Sequence, residues 1–235
     1  MPIYGEDSYE NCLVELFSDV LGYSHVYGPN VERDLHSPLY NSVLEESICR
    51  INPRASSQGI SEALQKLRNF ENADLVKKNA LFMDYLQNGI EVSFSQNGQI
   101  KSEIIYIVDF QNINNNSFIV ANQWTFIENS NKRPDILIFL NGIPICLFEL
   151  KSPSREQTDA SEAYTQIRNY MQEFRLCSFT TVFVLCLINL QAKRELLLLA
   201  KIVLWNGKQK TEILNQNLLQ TLQHSLKGFF KKSDF

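Results

Sequence analysis

Residues 133–151 read RPDILIFLNGIPICLFELK, from Arg133 to Lys151. Two apolar runs flank Asn141-Gly142, a dipeptide that accepts the positive φ of tight hairpin turns. The pattern predicts a β-hairpin with strands over 135–140 and 143–151. Asp135 opens the first strand, and Glu149 and Lys151 close the second. The strands between them are almost wholly Ile, Leu, Phe and Cys. Such strands are buried on both faces, so charges at their ends need a reason. Alternation puts Glu149 and Lys151 on one face. Two carboxylates and an amine on one sheet face suit metal-assisted phosphodiester cleavage. The acids hold a hard divalent cation, and the amine steadies charge building on phosphate. The plain alternative is an edge hairpin with a surface Glu-Lys pair, since short acidic and basic triplets also arise by chance.

The register decides between these readings. A two-residue turn at Asn141-Gly142 pairs Leu140 with Ile143 and leaves Asp135 across from Phe148, facing away from Glu149. A type I turn at Leu140-Asn141, with Gly142 as a left-handed bulge, pairs Phe139 with Ile143 and brings Asp135 onto the face of Glu149. That bulge, with Gly142 at positive φ, is the expectation.

The chain has 235 residues, 44% of them hydrophobic, with 15 Phe and 9 Tyr, enough for a large core. Its net charge of −4 excludes a generic polycation, so any DNA contact must come from a local cluster. Five cysteines (12, 49, 146, 177 and 186) are an odd, scattered set. Cys12, Cys49 and Cys146 fall in apolar patterns and read as buried, reduced thiols of a cytoplasmic protein. The first ten residues show no signal-peptide pattern, and no apolar run is long enough to span a membrane. The chain has no phosphate-binding P-loop, no zinc spacing among His25, His36 and His224, and no nucleophile elbow.

Upstream of the hairpin, Asp7 and Glu10 read as a capping box ahead of a helix that Gly22 ends. Helices are also predicted over 41–51, 57–70 and 72–88, giving a helical N-terminal lobe. From Ile90 the period becomes two, and 90–95, 100–109 and 118–127 read as strands of a meander, with Asn97-Gly98 as a second hairpin turn and 112–117 as a polar loop. Residues 157–173 return to helix, where Gln166 and Tyr170 share one face and could lie beside the site. Alone, that pair also fits a solvated amphipathic helix. Glu10 is a second candidate acid, although its place in the capping box already accounts for it. Asp109 ends an apolar strand and is chiefly structural. Lys132, Arg133, Arg155 and Arg168 surround the hairpin as candidate phosphate contacts, and surface solvation explains each equally well.

The strings YENCLVELFSDVLGY, INPRA, LVKKNALFMDYLQNGIEV, IYIVDFQN, NNSFIVANQWTF, RPDILIFLNGIPICLFELKSP and EAYTQIRNY run in order from about residue 7 to 173. Together they resemble the N-terminal nuclease domain of the restriction (motor) subunit of type I restriction-modification enzymes. The resemblance implies a PD-(D/E)xK restriction-endonuclease-like α/β core, a mixed sheet flanked by helices. It also implies Asp135, Glu149 and Lys151 as catalytic residues, with Gln166 and Tyr170 as accessory pair. Magnesium would be held by Asp135, Glu149 and the Leu150 carbonyl, with Glu10, an acid on the first helix, as the candidate further ligand. Double-stranded DNA is then the substrate, the methylase and specificity subunits are partners, and ATP is used only by a helicase motor that these residues do not include. The competing readings are a non-catalytic module that docks on the methylase core, and a structure-specific nuclease, against which the match through 31–130 argues.

The resemblance stops after Glu173, dividing the chain into a nuclease domain over 1–173 and a divergent tail over 174–235. The family expects a string like I-P-S-L-F-I-Y-N there, where this chain has FRLCSFTT. A DNA string encoding the observed residues gives the expected ones when one base is added in front. The same frame turns Lys193–Leu198 into K-A-G-T-I-T, close to the expected G-T-I-T. The tail is therefore expected to be out of frame and poorly packed, its chance hydrophobics substituting for the strand that should follow the Gln-Tyr helix, with weak or no activity in isolation.

Overall fold

The computed structural model describes residues 6–69, 75–96, 98–127, 131–151, 183–192, 195–204 and 212–213. Helix α1 (Glu6–Glu15) runs into a π-helical turn over Leu16–Val20, and Gly22 then reverses the chain at φ +72°. Asp7 and Glu10 both lie within α1, so they do not form the expected capping box. Helices α2 (Asn41–Ile51), α3 (Ser57–Arg68) and α4 (Leu75–Asn88) fall close to their predicted spans. The Ser56 hydroxyl caps α3 by accepting from the Gly59 N–H at 3.0 Å.

The strands are β1 (Ser24–Tyr27), β2 (Ile90–Gln96), β3 (Gln99–Ile105), β4 (Phe118–Asn122), β5 (Phe126–Ile127), β6 (Asn131–Lys132), β7 (Ile136–Leu140), β8 (Ile143–Lys151), β9 (Phe183–Ala192), β10 (Glu195–Leu204) and β11 (Glu212–Ile213). They do not form the expected meander. β2 and β3 make a separate hairpin, β5 and β6 another small sheet, and the main mixed sheet runs β1-β4-β7-β8-β9-β10-β11. β1 joins β4 in parallel, β7 lies antiparallel to both β4 and β8, and β9 joins β8 in parallel. The predicted strand over 118–127 is broken at Gln123, whose φ of +55° takes it out of extended geometry. The tail thus contributes strands to the sheet, with Glu149 aligned to Cys186 and Lys151 to Ile188.

The core lies on both faces of this sheet, and the strand parity is explicit. One face carries Phe118 and Val120 of β4 with Ile136, Ile138 and Leu140 of β7, and packs against Val14 and Phe17 near α1 and Leu44 and Ile48 of α2. Phe17 meets Phe148 edge-on at 5.7 Å between ring centroids. The other face carries Ile119, Ala121, Leu137, Phe139 and Leu147, covered by Trp124 and Phe126 with Tyr40, Val43 and Val31. Both faces of β7 are buried, as its unbroken apolar sequence requires.

The hairpin turn differs from the expected one. Leu140 pairs with Ile143, and Asn141 (φ +52°) and Gly142 (φ +79°) form a plain two-residue turn. Gly142 has the positive φ expected, but it is not the bulge. The register shift comes further along, between Ile138 and Phe139 on β7. There Phe139 faces Pro144 and Ile138 faces Cys146, so Ile145 is the extra residue on β8. Proline belongs at such a position because no ladder bond from its nitrogen is needed.

The turn is fixed by what it touches. Asn141, fully buried, donates through Nδ2 to the Ile107 carbonyl and to Asn116 Oδ1 (both 2.8 Å), and its Oδ1 accepts the Ser117 N–H at 2.7 Å. Gly142 lies against the start of α2: its carbonyl accepts the Tyr40 N–H at 2.8 Å. A Cβ at Gly142 would stand 2.6 Å from both the Leu44 nitrogen and the Tyr40 carbonyl oxygen.

Candidate active site

The bulge sets the faces at the far end of the hairpin. On β8, Ile143 and Ile145 belong to the α1 side, and so do Cys146, Phe148 and Leu150. The parity changes at Ile145–Cys146, and Leu147 therefore falls on the opposite side, with Leu137 and Phe139. Glu149 and Lys151 share the parity of Leu147, and Asp135 shares that of Leu137. Pairing of Ile136 with Phe148, carried one residue on, sets the backbone of Glu149 opposite Asp135. An unbulged two-residue hairpin would have put Asp135 and Glu149 on opposite faces.

Asp135 itself is half-buried, and its Oδ2 accepts the backbone N–H of Leu150 at 2.6 Å. The peptide between Glu149 and Lys151 is thereby tied to the acid at the start of β7. The Asp135 carbonyl accepts the Gln123 N–H at 3.2 Å, which brings the end of β4 to the same place.

Glu10 reaches this end of the sheet from α1. Its side chain is buried, Oε1 accepts from Asn122 Nδ2 and Oε2 from Gln123 Nε2, each at 2.7 Å. Asn122 Oδ1 in turn lies 2.9 Å from His25 Nε2. Gln123 thus spans both acids, its side chain on Glu10 and its backbone on Asp135. Glu10 is held by two neutral amides, with no cation against it among the described residues. Asn122 and Gln123 are neutral residues in an apolar stretch, and their part is visible only from the pairing of β4 with β7.

The other candidates divide clearly. Arg133 is exposed at the mouth of the hairpin, and the backbone of Lys132 lies in β6. Gln166, Tyr170, Arg155 and Arg168 lie outside the described residues, as do the side chains of Glu149 and Lys151. Asp109 is structural: its carboxylate accepts from the N–H groups of Gln111 and Asn112 and from Asn115 Nδ2 at 2.8–2.9 Å. Burial pushes its pKa up, but those hydrogen bonds, led by Asn112, outweigh it and hold it below the usual carboxylate value. Among the described residues no cluster of three or more His, Cys, Asp or Glu is placed to hold a metal ion. No described helix is long and apolar enough to cross a membrane. Of the cysteines expected to be buried, only Cys146 is; Cys12 and Cys49 are exposed on the outer sides of α1 and α2.

A second cationic feature escaped the sequence reading. Arg33 lies over the Trp124 ring, 3.8 Å from its centroid, and donates to the Thr125 carbonyl. Burial lowers its pKa to about 10, with Asp34 and Tyr40 pulling the other way, so it remains charged at neutral pH.

A mixed sheet flanked by helices is compatible with a nuclease-like domain, and comparison with known proteins gives the family. Residues 3–223 match the type I restriction enzyme R protein N terminus, and the chain belongs to that family. It is 32% identical over 174 residues to a Methanocaldococcus jannaschii protein assigned as the type I restriction enzyme MjaIXP endonuclease subunit, covering 70% of this chain and 16% of that relative. Against the type I restriction enzyme HindI endonuclease subunit of Haemophilus influenzae the identity is 32% over 163 residues, 65% of this chain and 16% of the relative. The EcoprrI endonuclease subunit of Escherichia coli is 27% identical over 158 residues, 61% of this chain and 49% of that protein. The chain therefore spans about a sixth of the length of the first two relatives.

Proposed function

We propose that this chain carries the PD-(D/E)xK endonuclease site of a type I restriction R subunit and hydrolyses phosphodiester bonds of double-stranded DNA. The observation that carries the reading is the β8 bulge, which gives Asp135, Glu149 and Lys151 one parity at the end where Asp135 receives the Leu150 N–H. Magnesium suits this donor set, because the nearby groups are carboxylates and a peptide carbonyl, the hard oxygen ligands it prefers. Asp135 and Glu149 would hold it with the Leu150 carbonyl, and Glu10, whose two oxygens accept from Asn122 and Gln123, is the further candidate ligand. When bound, the ion supplies positive charge to phosphate oxygens and acidifies water. Asp135 keeps the Glu149–Lys151 peptide in place, and Lys151 orients the attacking water and neutralises charge on the phosphate. Gln166 and Tyr170 position the lysine or DNA, with Arg133, Lys132, Arg155 and Arg168 on the backbone phosphates. Methylase and specificity subunits are the partners of the assembly, and ATP use belongs to its motor.

Plasmid nicking with magnesium tests this, comparing the unmodified chain with Glu149→Ala and Lys151→Ala. Cleavage should need both side chains; nicking that survives both changes removes the site. A docking module for the methylase core is the second reading, favoured by the exposed Ile100, Ile104, Tyr106 and Phe110 in and after β3. Methylase binding without cleavage by any form would establish it instead.

For residues 174–235 we propose a shifted reading frame, supported by the two recoveries of family strings in one alternative frame. The match reaching residue 223 and the pairing of β9 with β8 are what an in-frame segment would give. The nucleotide sequence past codon 173 decides: if the alternative frame encodes no continuation of the family, the proposal fails.

A further inference from the structure

We propose that Arg33, seated over the Trp124 ring, is a DNA-backbone contact on the sheet face that carries Asp135. The inference rests on the proposal that DNA is the substrate. Trp124 packs on Phe139 at 4.8 Å and on Tyr40 at 5.1 Å, and Phe139 has the parity of Asp135 on β7. The indole therefore lies on the catalytic side of the sheet. Its segment is also tied to the acids, since the preceding residue, Gln123, binds Glu10 and Asp135.

The guanidinium has few partners of its own. It donates to the Thr125 carbonyl and, at 3.5 Å, to the Asp34 carbonyl, which occupies two of its five N–H donors. Its Nε and the Trp124 Nε1 are buried without an acceptor, so the donors left for an external anion are the second N–H groups of its two terminal nitrogens. No carboxylate forms an ion pair with it among the described residues, and Asp34 instead accepts the His36 N–H at 2.9 Å. Asp34 acts on this half-buried cation only through space, and its charge does not outweigh the cost of burial. Phosphate supplies the missing charge, and a planar guanidinium pre-ordered on an aromatic ring loses little freedom in binding it. A guanidinium serving only as a latch for the 31–36 segment would need no external anion.

The experiment is equilibrium binding of the full chain to a short DNA duplex, with calcium in place of magnesium to prevent turnover, across a salt series. Neutralising one phosphate contributes about 0.9 to the slope of log K against log salt, so Arg33→Gln and Arg33→Met should each lower the slope by about that amount. At ~0.1 M salt the same relation gives about eightfold weaker binding. Arg33→Lys keeps the charge and should keep the slope. Arg33→Met retains an apolar stem over the indole, so it serves if the glutamine variant unfolds; urea midpoints report folding for each. An unchanged slope in folded Arg33→Gln or Arg33→Met overturns the inference alone. Absence of duplex binding by the unmodified chain overturns it together with the DNA reading on which it rests.

Discussion

The carboxylate of Asp135 accepts the backbone N–H of Leu150 at 2.6 Å, joining the residue that opens β7 to the strand that carries Glu149 and Lys151. Leu150 is buried, so this N–H has no water to turn to. The bond gives Asp135 a structural task beside its proposed chemical one, and substitutions separate the two. Asp135→Asn keeps an oxygen acceptor and removes the charge, so stability should fall by under ~1 kcal/mol while nicking drops at least ~100-fold. Asp135→Ala also orphans the Leu150 N–H and should cost about 1–3 kcal/mol. Urea denaturation of both variants, paired with plasmid nicking, measures each part; equal destabilisation would show that the bond carries no weight.

Gly142 is held by two independent constraints, its positive φ and the close approach of α2. Relieving either leaves the other. Gly142→Ala should destabilise the fold by about 3 kcal/mol, from left-handed strain plus a Cβ 2.6 Å from two backbone atoms. A thermal shift close to zero would mean that α2 can move away from the turn, contrary to its contact with Tyr40.

Asp109 links stability to pH. Its folded pKa lies below the unfolded value, so its carboxylate stabilises the fold above the unfolded pKa, and the benefit disappears as pH falls through the folded one. Asp109→Asn should therefore cost about 1–2 kcal/mol at pH 7 and progressively less on the acid side of ~3.9. Parallel urea curves for the two proteins at neutral and acid pH provide the comparison; a gap that persists unchanged in acid would rule out the charge as its source.

The thiols should react in two classes. Cys12 and Cys49 are exposed, whereas Cys146 is fully buried, and burial pushes its thiol pKa far up. In a Cys177→Ser/Cys186→Ser background, a thiol-specific dye should label two cysteines rapidly and the third only with unfolding. Rapid labelling of all three would mean that the Cys146 strand opens in the native state.

The sequence by itself determined the hairpin, its turn residues, the apolar makeup of β7 and β8, and the helices α2 and α3, because these depend on local periodicity and on turn chemistry. It also named Asp135, Glu149 and Lys151, since charges closing apolar strands stand out. The backbone register that aligns their positions was not local information. A one-residue slip exchanges the two faces of a strand, and here the slip falls at Ile145–Cys146, in β8, where both flanking faces are packed. Only the docking of the Asn141-Gly142 turn between α2 and the 107–117 segment explains why the turn stays tight and the extra residue sits in the strand. The partners of Glu10, the exposure of Cys12 and Cys49, and the seat of Arg33 on Trp124 likewise come from residues far apart in the chain. Asn122 and Gln123 meet Glu10 across more than a hundred positions, and no pattern within either segment records that meeting.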